Sequence, residues 1–176
     1  MRISKAFWIW AQFEEQDLAY INSLKKEVQM KLNSPIFEPH ITMAGPFEEI
    51  DISFINSIKE LSQSTNSISV NLLQYRFEIE PFKSFYIAVS SSKNLINIRN
   101  KINEKHKFDN YQIFEPHISL SYGVHLPNSK NELINELPKL KSTIKLNKLS
   151  IVDVDEQISQ WRIIERFELE DSKKNL

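Results

Sequence analysis

The segment Ile36-Phe37-Glu38-Pro39-His40-Ile41 recurs letter for letter as Ile113-Phe114-Glu115-Pro116-His117-Ile118. Thr42 and Ser119 extend the match as hydroxyl residues, and Met43 and Leu120 extend it as apolar ones. An identity of this length within a chain of 176 residues marks an internal repeat. A repeat constrains the fold before local propensity does, because the two copies must build equivalent units.

The same offset organises the flanks. Residues 6–13 form an aromatic, β-favouring run, and 84–90 have the same character. Leu18, Ile21, Leu24, Val28 and Leu32 then make one helical stripe, answered in the second half by Leu95, Ile98 and Ile102. Each repeated motif opens a short strand, with Pro39 or Pro116 biasing the entry toward extended backbone. A helix follows each motif, over 51–63 and 129–140, and each half closes on a β-rich run, 67–80 and 143–155. A last strand, 161–169, carries Trp161, Ile163, Ile164 and Phe167. The expected fold is α+β: two βαβαβ-type lobes related by a pseudo-twofold, with antiparallel sheets lining a central cleft and helices outside. Residues 1–176 are expected to form one bilobal domain, with halves of about 1–80 and 81–160 and the final strand completing a sheet. No flexible linker separates the halves.

Strand side chains alternate. His40 and Thr42 therefore share one face while Ile41 and Met43 take the other, and His117 and Ser119 repeat this against Ile118 and Leu120. Two such strands facing one cleft would bring two imidazoles and two hydroxyls around one point. Displacement at phosphorus needs a base for the incoming oxygen and an acid for the leaving one, and histidine serves either role near neutral pH. The hydroxyls can donate to the non-bridging oxygens where charge accumulates. His40 and His117 are thus the candidate catalytic pair, with Thr42 and Ser119 as phosphate-binding partners. Pseudo-symmetry leaves the acid and base open, with a preference for His117 activating water and His40 protonating the leaving oxygen.

Several features bear on what else the chain can do. It has no cysteine, which excludes disulfides, thiolate nucleophiles and zinc–thiolate sites. Glu38 and Glu115 are carboxylates close to the histidines, but no His-x-x-x-His spacing accompanies them, so neither metal nor other cofactor is expected. Net charge is −1, which argues against a surface for long nucleic acid and leaves a small anionic substrate open. The opening apolar stretch is too short for a secretory signal and no membrane-spanning run follows, so a cytoplasmic monomer is expected. The two glycines, Gly45 and Gly123, each follow a motif, where a tight turn or close approach would need them. Of the remaining histidines, His106 falls near a predicted helix C-terminus as a cap or solvated residue, and His125 lies at the cleft rim.

Two His-x-[Ser/Thr]-x motifs with apolar x, spaced by most of a lobe, resemble the 2H phosphoesterase superfamily over nearly the whole chain. Bacterial and archaeal RNA 2′,5′-phosphodiesterases of that superfamily often carry an arginine shortly after a motif. Here Ala44-Gly45 and Ser121-Tyr122 stand there instead. Pro-His-Ile-Ser-Leu-Ser-Tyr and the aromatic strand with Trp8 and Trp10 more closely resemble the cyclic phosphodiesterase branch, although the plant members' disulfides have no counterpart. The resemblance implies that His40, Thr42, His117 and Ser119 catalyse or bind phosphate, that Tyr122 lines the substrate pocket, and that the substrate is a 2′,3′-cyclic nucleotide or ADP-ribose 1″,2″-cyclic phosphate. The alternatives are a 2′,5′-specific RNA or oligoadenylate phosphodiesterase and a non-catalytic module binding nucleotides or RNA ends. Strict alternation puts Tyr122 on the Leu120 side, so a bend near Gly123 would have to bring it to the cleft. Trp10 and Trp8 are candidate stacking platforms for a base, with Phe85 and Ile87 at their repeat-equivalent positions.

Overall fold

The structure is a computed structural model, and it describes residues 5–106 and 113–170. Its strands are β1 (Ala6–Phe13), β2 (Ile41–Phe47), β3 (Ile68–Arg76), β4 (Phe85–Val89), β5 (His117–Ser121), β6 (Thr143–Val154) and β7 (Arg162–Glu168). The helices are α1 (Glu15–Leu32), α2 (Ile52–Gln63), α3 (Lys93–Lys105) and α4 (Pro127–Glu136). All named strands pair antiparallel, in the order β2-β1-β6-β3-β4-β5, and β7 joins β6.

The closing strands are exchanged between the halves. β6, from the second half, pairs with β1 along its length, while β3, from the first half, pairs with β4. Each three-stranded unit, β2-β1-β6 or β5-β4-β3, therefore needs chain from both repeats, so neither half completes its own sheet. The free edge of β6 is shared: Thr143 to Leu146 pair with β3, and Lys148 to Asp153 pair with β7. β2 and β5 end the strand order on opposite sides yet touch each other, so the sheet folds round and closes on the two motifs.

The helices cover one face of this sheet. The stripe on α1 buries Ile21, Leu24 and Val28, and α3 buries Leu95, Ile98 and Ile102, against Ile9, Ile41, Met43, Ile87, Ile118 and Leu120 from the strands. At roughly 25 cal/mol per Å² of apolar surface removed from water, this shared core is the main term holding the helices on the sheet. Local chemistry sets the ends. Asp51 caps α2 by accepting from the Phe54 amide at 2.8 Å, and Ser92 caps α3 through the Leu95 amide at 3.2 Å. Asn33 closes α1 in the left-handed conformation. α4 departs from the expected 129–140. It starts at Pro127, whose ring is preset for a first helical position, and ends at Glu136, because Leu137 precedes Pro138 and is driven to extended backbone. β3 likewise ends at Arg76, short of residue 80, ahead of the helical turn at Pro81–Lys83. Among the described residues no helix is long and apolar enough to cross a membrane.

Candidate active site

The sheet face without helices carries a second, smaller cluster, in which Trp10, Val152 and Val154 pack with Trp8, Trp161 and Ile163. Beside it lie the motif histidines. Alternation places Ile41 and Met43, and Ile118 and Leu120, in the helix-side core at 1% exposure or less, which turns His40, Thr42, His117 and Ser119 toward the opposite face.

Each imidazole is held in the same way. His40 Nδ1 lies 2.7 Å from the Glu38 carbonyl, and His117 Nδ1 lies 2.9 Å from the Glu115 carbonyl. A carbonyl can only accept, so Nδ1 carries the proton in both rings. Nε2 is then the nitrogen available for chemistry. The glutamate of each repeat thus sets a tautomer through its backbone, two residues ahead of the histidine.

The glutamate side chains are clamped. Glu38 Oε1 accepts from Arg166 of β7 at 2.6 Å and from Gln12 of β1 at 2.8 Å, and Gln12 in turn accepts from Ser150 and Arg166. Glu115 Oε2 accepts from Lys83 at 2.9 Å; Lys83 also reaches Glu78, which accepts from the Tyr86 hydroxyl at 2.9 Å. Both carboxylates are thereby engaged with cations. Among the described residues no group of three or more His, Asp and Glu side chains is placed to hold a metal.

The two rings sit in unlike surroundings. His40 is 6% exposed, stacked on Trp10 with centroids 3.5 Å apart and planes 1° from parallel. Burial pushes its pKa down to about 3, and the charges of His117 and Lys25 push the same way, against the pull of the Glu38 carbonyl. His117 is half-buried with its ring edge-on to Tyr86 at 5.2 Å. Burial lowers its pKa too, and Lys83 adds to this, but the Glu115 carbonyl and the carboxylates of Glu78 and Glu115 oppose it.

Thr42 is half-buried opposite Trp10, and its hydroxyl has no hydrogen-bond partner among the described residues. Ser119 is 4% exposed and donates a long bond of 3.3 Å to the Phe82 carbonyl. Tyr122 does reach this face, by a different device from a bend at Gly123. Tyr86 pairs with Ser119 but Phe85 pairs with Ser121, so β5 carries one extra residue there. That bulge resets the alternation: Leu120 and Ser121 stay inside, and Tyr122 comes out on the Ser119 side, its ring edge-on to Phe82, whose carbonyl accepts from Ser119. Burial raises the Tyr122 phenol pKa. The ring stacks on Phe37 at 3.9 Å and meets Trp161 edge-on at 5.7 Å; Trp161 meets Trp10 at 5.9 Å. An aromatic chain from Tyr122 through Trp161 and Trp10 to His40 therefore joins the two motifs.

Other expected residues fall in different places. Trp10, read as a base platform, is 3% exposed and has its ring against His40, so its indole backs the imidazole instead of facing solvent. Trp8 is half-buried, its Nε1 enclosed and its ring against Gly45. Phe85 and Ile87 belong to the core, and the structural counterpart of Trp10 is Tyr86, which pairs with Ser119 as Trp10 pairs with Thr42. His106 is the C-cap residue of α3 and bonds Ser57 at 2.7 Å. His125 lies against Ser121 and the Tyr122 carbonyl. Lys25, Arg166, Lys83, Tyr86 and Trp161 complete the surroundings without having been marked by the repeat; for Tyr86 a one-residue shift of the repeat alignment was the available signal.

The sequence profile of the 2′-5′ RNA ligase superfamily matches residues 14–157. Among solved structures, the fold is similar to E. coli LigT in its apo form, with a TM-score of 0.58 and 11% identity over 94% of this chain and 97% of that one. It is also similar to TT0787 of Thermus thermophilus, with a TM-score of 0.63 and 10% identity over 95% of this chain and 99% of that one. LigT complexed with 3′-AMP gives a TM-score of 0.57 and 11% identity, covering 95% and 99%. No curated protein matches the sequence. With a profile spanning most of its length and both His-x-[Ser/Thr] motifs turned toward the helix-free face of the sheet, the chain belongs to the 2′-5′ RNA ligase superfamily of 2H phosphoesterases.

Proposed function

We propose that the chain is a metal-independent phosphodiesterase that opens a small cyclic phosphate, a 2′,3′-cyclic nucleotide or ADP-ribose 1″,2″-cyclic phosphate, to a monoester. The observation that carries this reading is the pair of imidazoles on touching motif strands, each with Nδ1–H fixed on a carbonyl and Nε2 without a hydrogen bond among the described residues. Solved structures of LigT complexed with 3′-AMP, ATP and NADP+ support a small nucleotide as the ligand class.

The surroundings favour a division of labour opposite to the one expected from sequence. His40, buried and near Lys25, starts neutral and is the base. His117, with the Glu78 and Glu115 carboxylates around it and the phosphate anion arriving, is the ring better able to hold a second proton, and it is the acid. Water gives a proton to His40 Nε2 as its oxygen bonds to phosphorus. The P–O bond to the ribose oxygen breaks, and that oxygen takes the proton from His117 Nε2. The two protons re-equilibrate with solvent after product release. Thr42 and Ser119 donate to the non-bridging oxygens, Ser119 giving up its long bond to Phe82 to do so. Thr42→Ala and Ser119→Ala are each expected to lower kcat roughly 10²-fold with smaller changes in KM, measured by steady-state kinetics.

The pH profile follows with a definite sign. A neutral base is needed, and its low pKa puts the acidic limb well below pH 6.5. A protonated acid is needed as well, and activity falls once His117 loses its proton. The kcat/KM optimum is therefore expected on the acid side of neutrality; a rate that climbs through pH 8 contradicts this assignment.

The family description favours a second reading, cleavage of linear 2′,5′ linkages. Trp161, half-buried at the cleft with one indole edge on Trp10, is the residue we assign to base stacking in either case. A panel of 2′,3′-cyclic nucleotides, ADP-ribose cyclic phosphate and 2′,5′ dinucleotides separates the two. The cyclic compounds are expected to turn over faster, and preference for the linear dinucleotides would select the alternative.

A further inference from the structure

Lys25 enters the chemistry above only through its charge near His40, yet it is held in an unusual place. It lies on α1 among the leucine and isoleucine stripe and is only 3% exposed. No carboxylate among the described residues pairs with it. Its ammonium instead donates to the Phe37 carbonyl and sits over the Phe37 ring, 3.4 Å from the centroid. An ammonium buried this way is costly, and its pKa falls to about 8 through desolvation. The same Phe37 ring stacks on Tyr122 with centroids 3.9 Å apart, so the ammonium and the phenol occupy its two faces. Phe37 is three residues ahead of His40, and Tyr122 meets the Phe82 ring at 5.5 Å, the residue whose carbonyl accepts from Ser119. Ser34, just past the end of α1, accepts from the Tyr122 amide at 2.9 Å and reinforces the same connection.

We infer that Lys25 is a positioning residue that couples the two motifs, holding through Phe37 both the approach to His40 and the Tyr122 ring, which directly follows the second motif strand, in one geometry. Its role in turnover rests on the phosphodiesterase reading; its structural coupling does not. The cation–π contact and the carbonyl bond act on one residue from two sides, which fixes both the backbone and the ring of Phe37. A loose Phe37 would shift His40 along Trp10 and release the Tyr122 ring at the same time.

The test combines kinetics with a signal that needs no substrate. The ring of His40 lies against the Trp10 indole, so its protons are expected upfield in the NMR spectrum through the indole ring current. In folded Lys25→Met, which keeps the packing volume and removes the charge and the donor, that resonance is expected to move toward the position of an unstacked histidine. Lys25→Arg, which keeps both charge and donor, is expected to move it least. With a turned-over diester, Lys25→Met should lower kcat about tenfold while KM stays within about twofold. An unmoved His40 resonance in folded Lys25→Met overturns the inference, whatever the rate does. If Lys25→Met fails to fold, Lys25→Gln is read by the same criterion. If the wild-type protein turns over no phosphodiester, the functional reading fails, and the NMR comparison still decides the positioning role.

Discussion

His40→Ala is expected to lower kcat/KM on a 2′,3′-cyclic nucleotide by roughly 10³-fold and to stay that slow on an aryl phosphodiester whose leaving group needs no proton. His117→Ala is expected to lose a similar factor on the cyclic nucleotide but to recover most of it on the aryl ester. The difference arises because a phenolate of low pKa departs unassisted, which removes the need for an acid and leaves the need for a base. The environment of each ring dictates which one fills which role. His40 is stacked on Trp10 and buried, with the Lys25 charge acting in the same direction, so it resists a proton. His117 stands beside Glu78 and Glu115 and accepts one more readily. Rescue of His40→Ala in place of His117→Ala would reverse the assignment, and steady-state kinetics on the two substrates read it directly.

Gly45→Ala is expected to be the most damaging small substitution outside the histidines. Gly45 has a φ of +127°, which side-chain-bearing residues rarely adopt. A Cβ there would stand 2.7 and 2.8 Å from two carbons of the Trp8 indole, which itself packs in the cluster behind His40. Strain and overpacking together should cost about 3 kcal/mol or more, an expected fall in Tm of roughly 6–12 °C for a chain of this size. Gly123 makes the comparison useful. Its φ is +114°, but the added Cβ would meet only the His125 ring at 3.1 Å, and that side chain can move. Gly123→Ala should therefore be milder by thermal denaturation. Equal Tm losses for the two variants would contradict the role given to Trp8.

The helices, the strands and the four motif side chains were legible because each follows from short-range chemistry. Alternation alone turns His40 and Thr42 away from Ile41 and Met43, and the stripe on α1 predicts its buried face. What escaped depends on partners distant in sequence. The extra residue in β5 that delivers Tyr122 exists only relative to β4, and no local pattern around Leu120 marks it. The stacking of Trp10 on His40 comes from the pairing of β1 with β2 at Trp10 and Thr42. Arg166 and Lys83, which clamp equivalent glutamates, come from non-equivalent places in the two halves, so a repeat could not reveal them. The exchange of β3 and β6 is likewise a matter of which closing strand finds which edge. The end of α4 was there to be read, in Pro138.

These long-range partners are also what makes two copies of one motif unlike each other. The repeat supplies two histidines in one tautomer, and the surroundings make one resist a proton more strongly than the other. Whether they act as one catalytic pair is tested most directly by following a 2′,3′-cyclic nucleotide by phosphorus NMR, in excess chelator, with wild-type protein, His40→Ala and His117→Ala. The account predicts that the cyclic phosphate signal gives way to a single monoester with the wild type and persists with either variant. An unchanged cyclic phosphate with the wild type, or a monoester formed at near-wild-type rate by either variant, would contradict it.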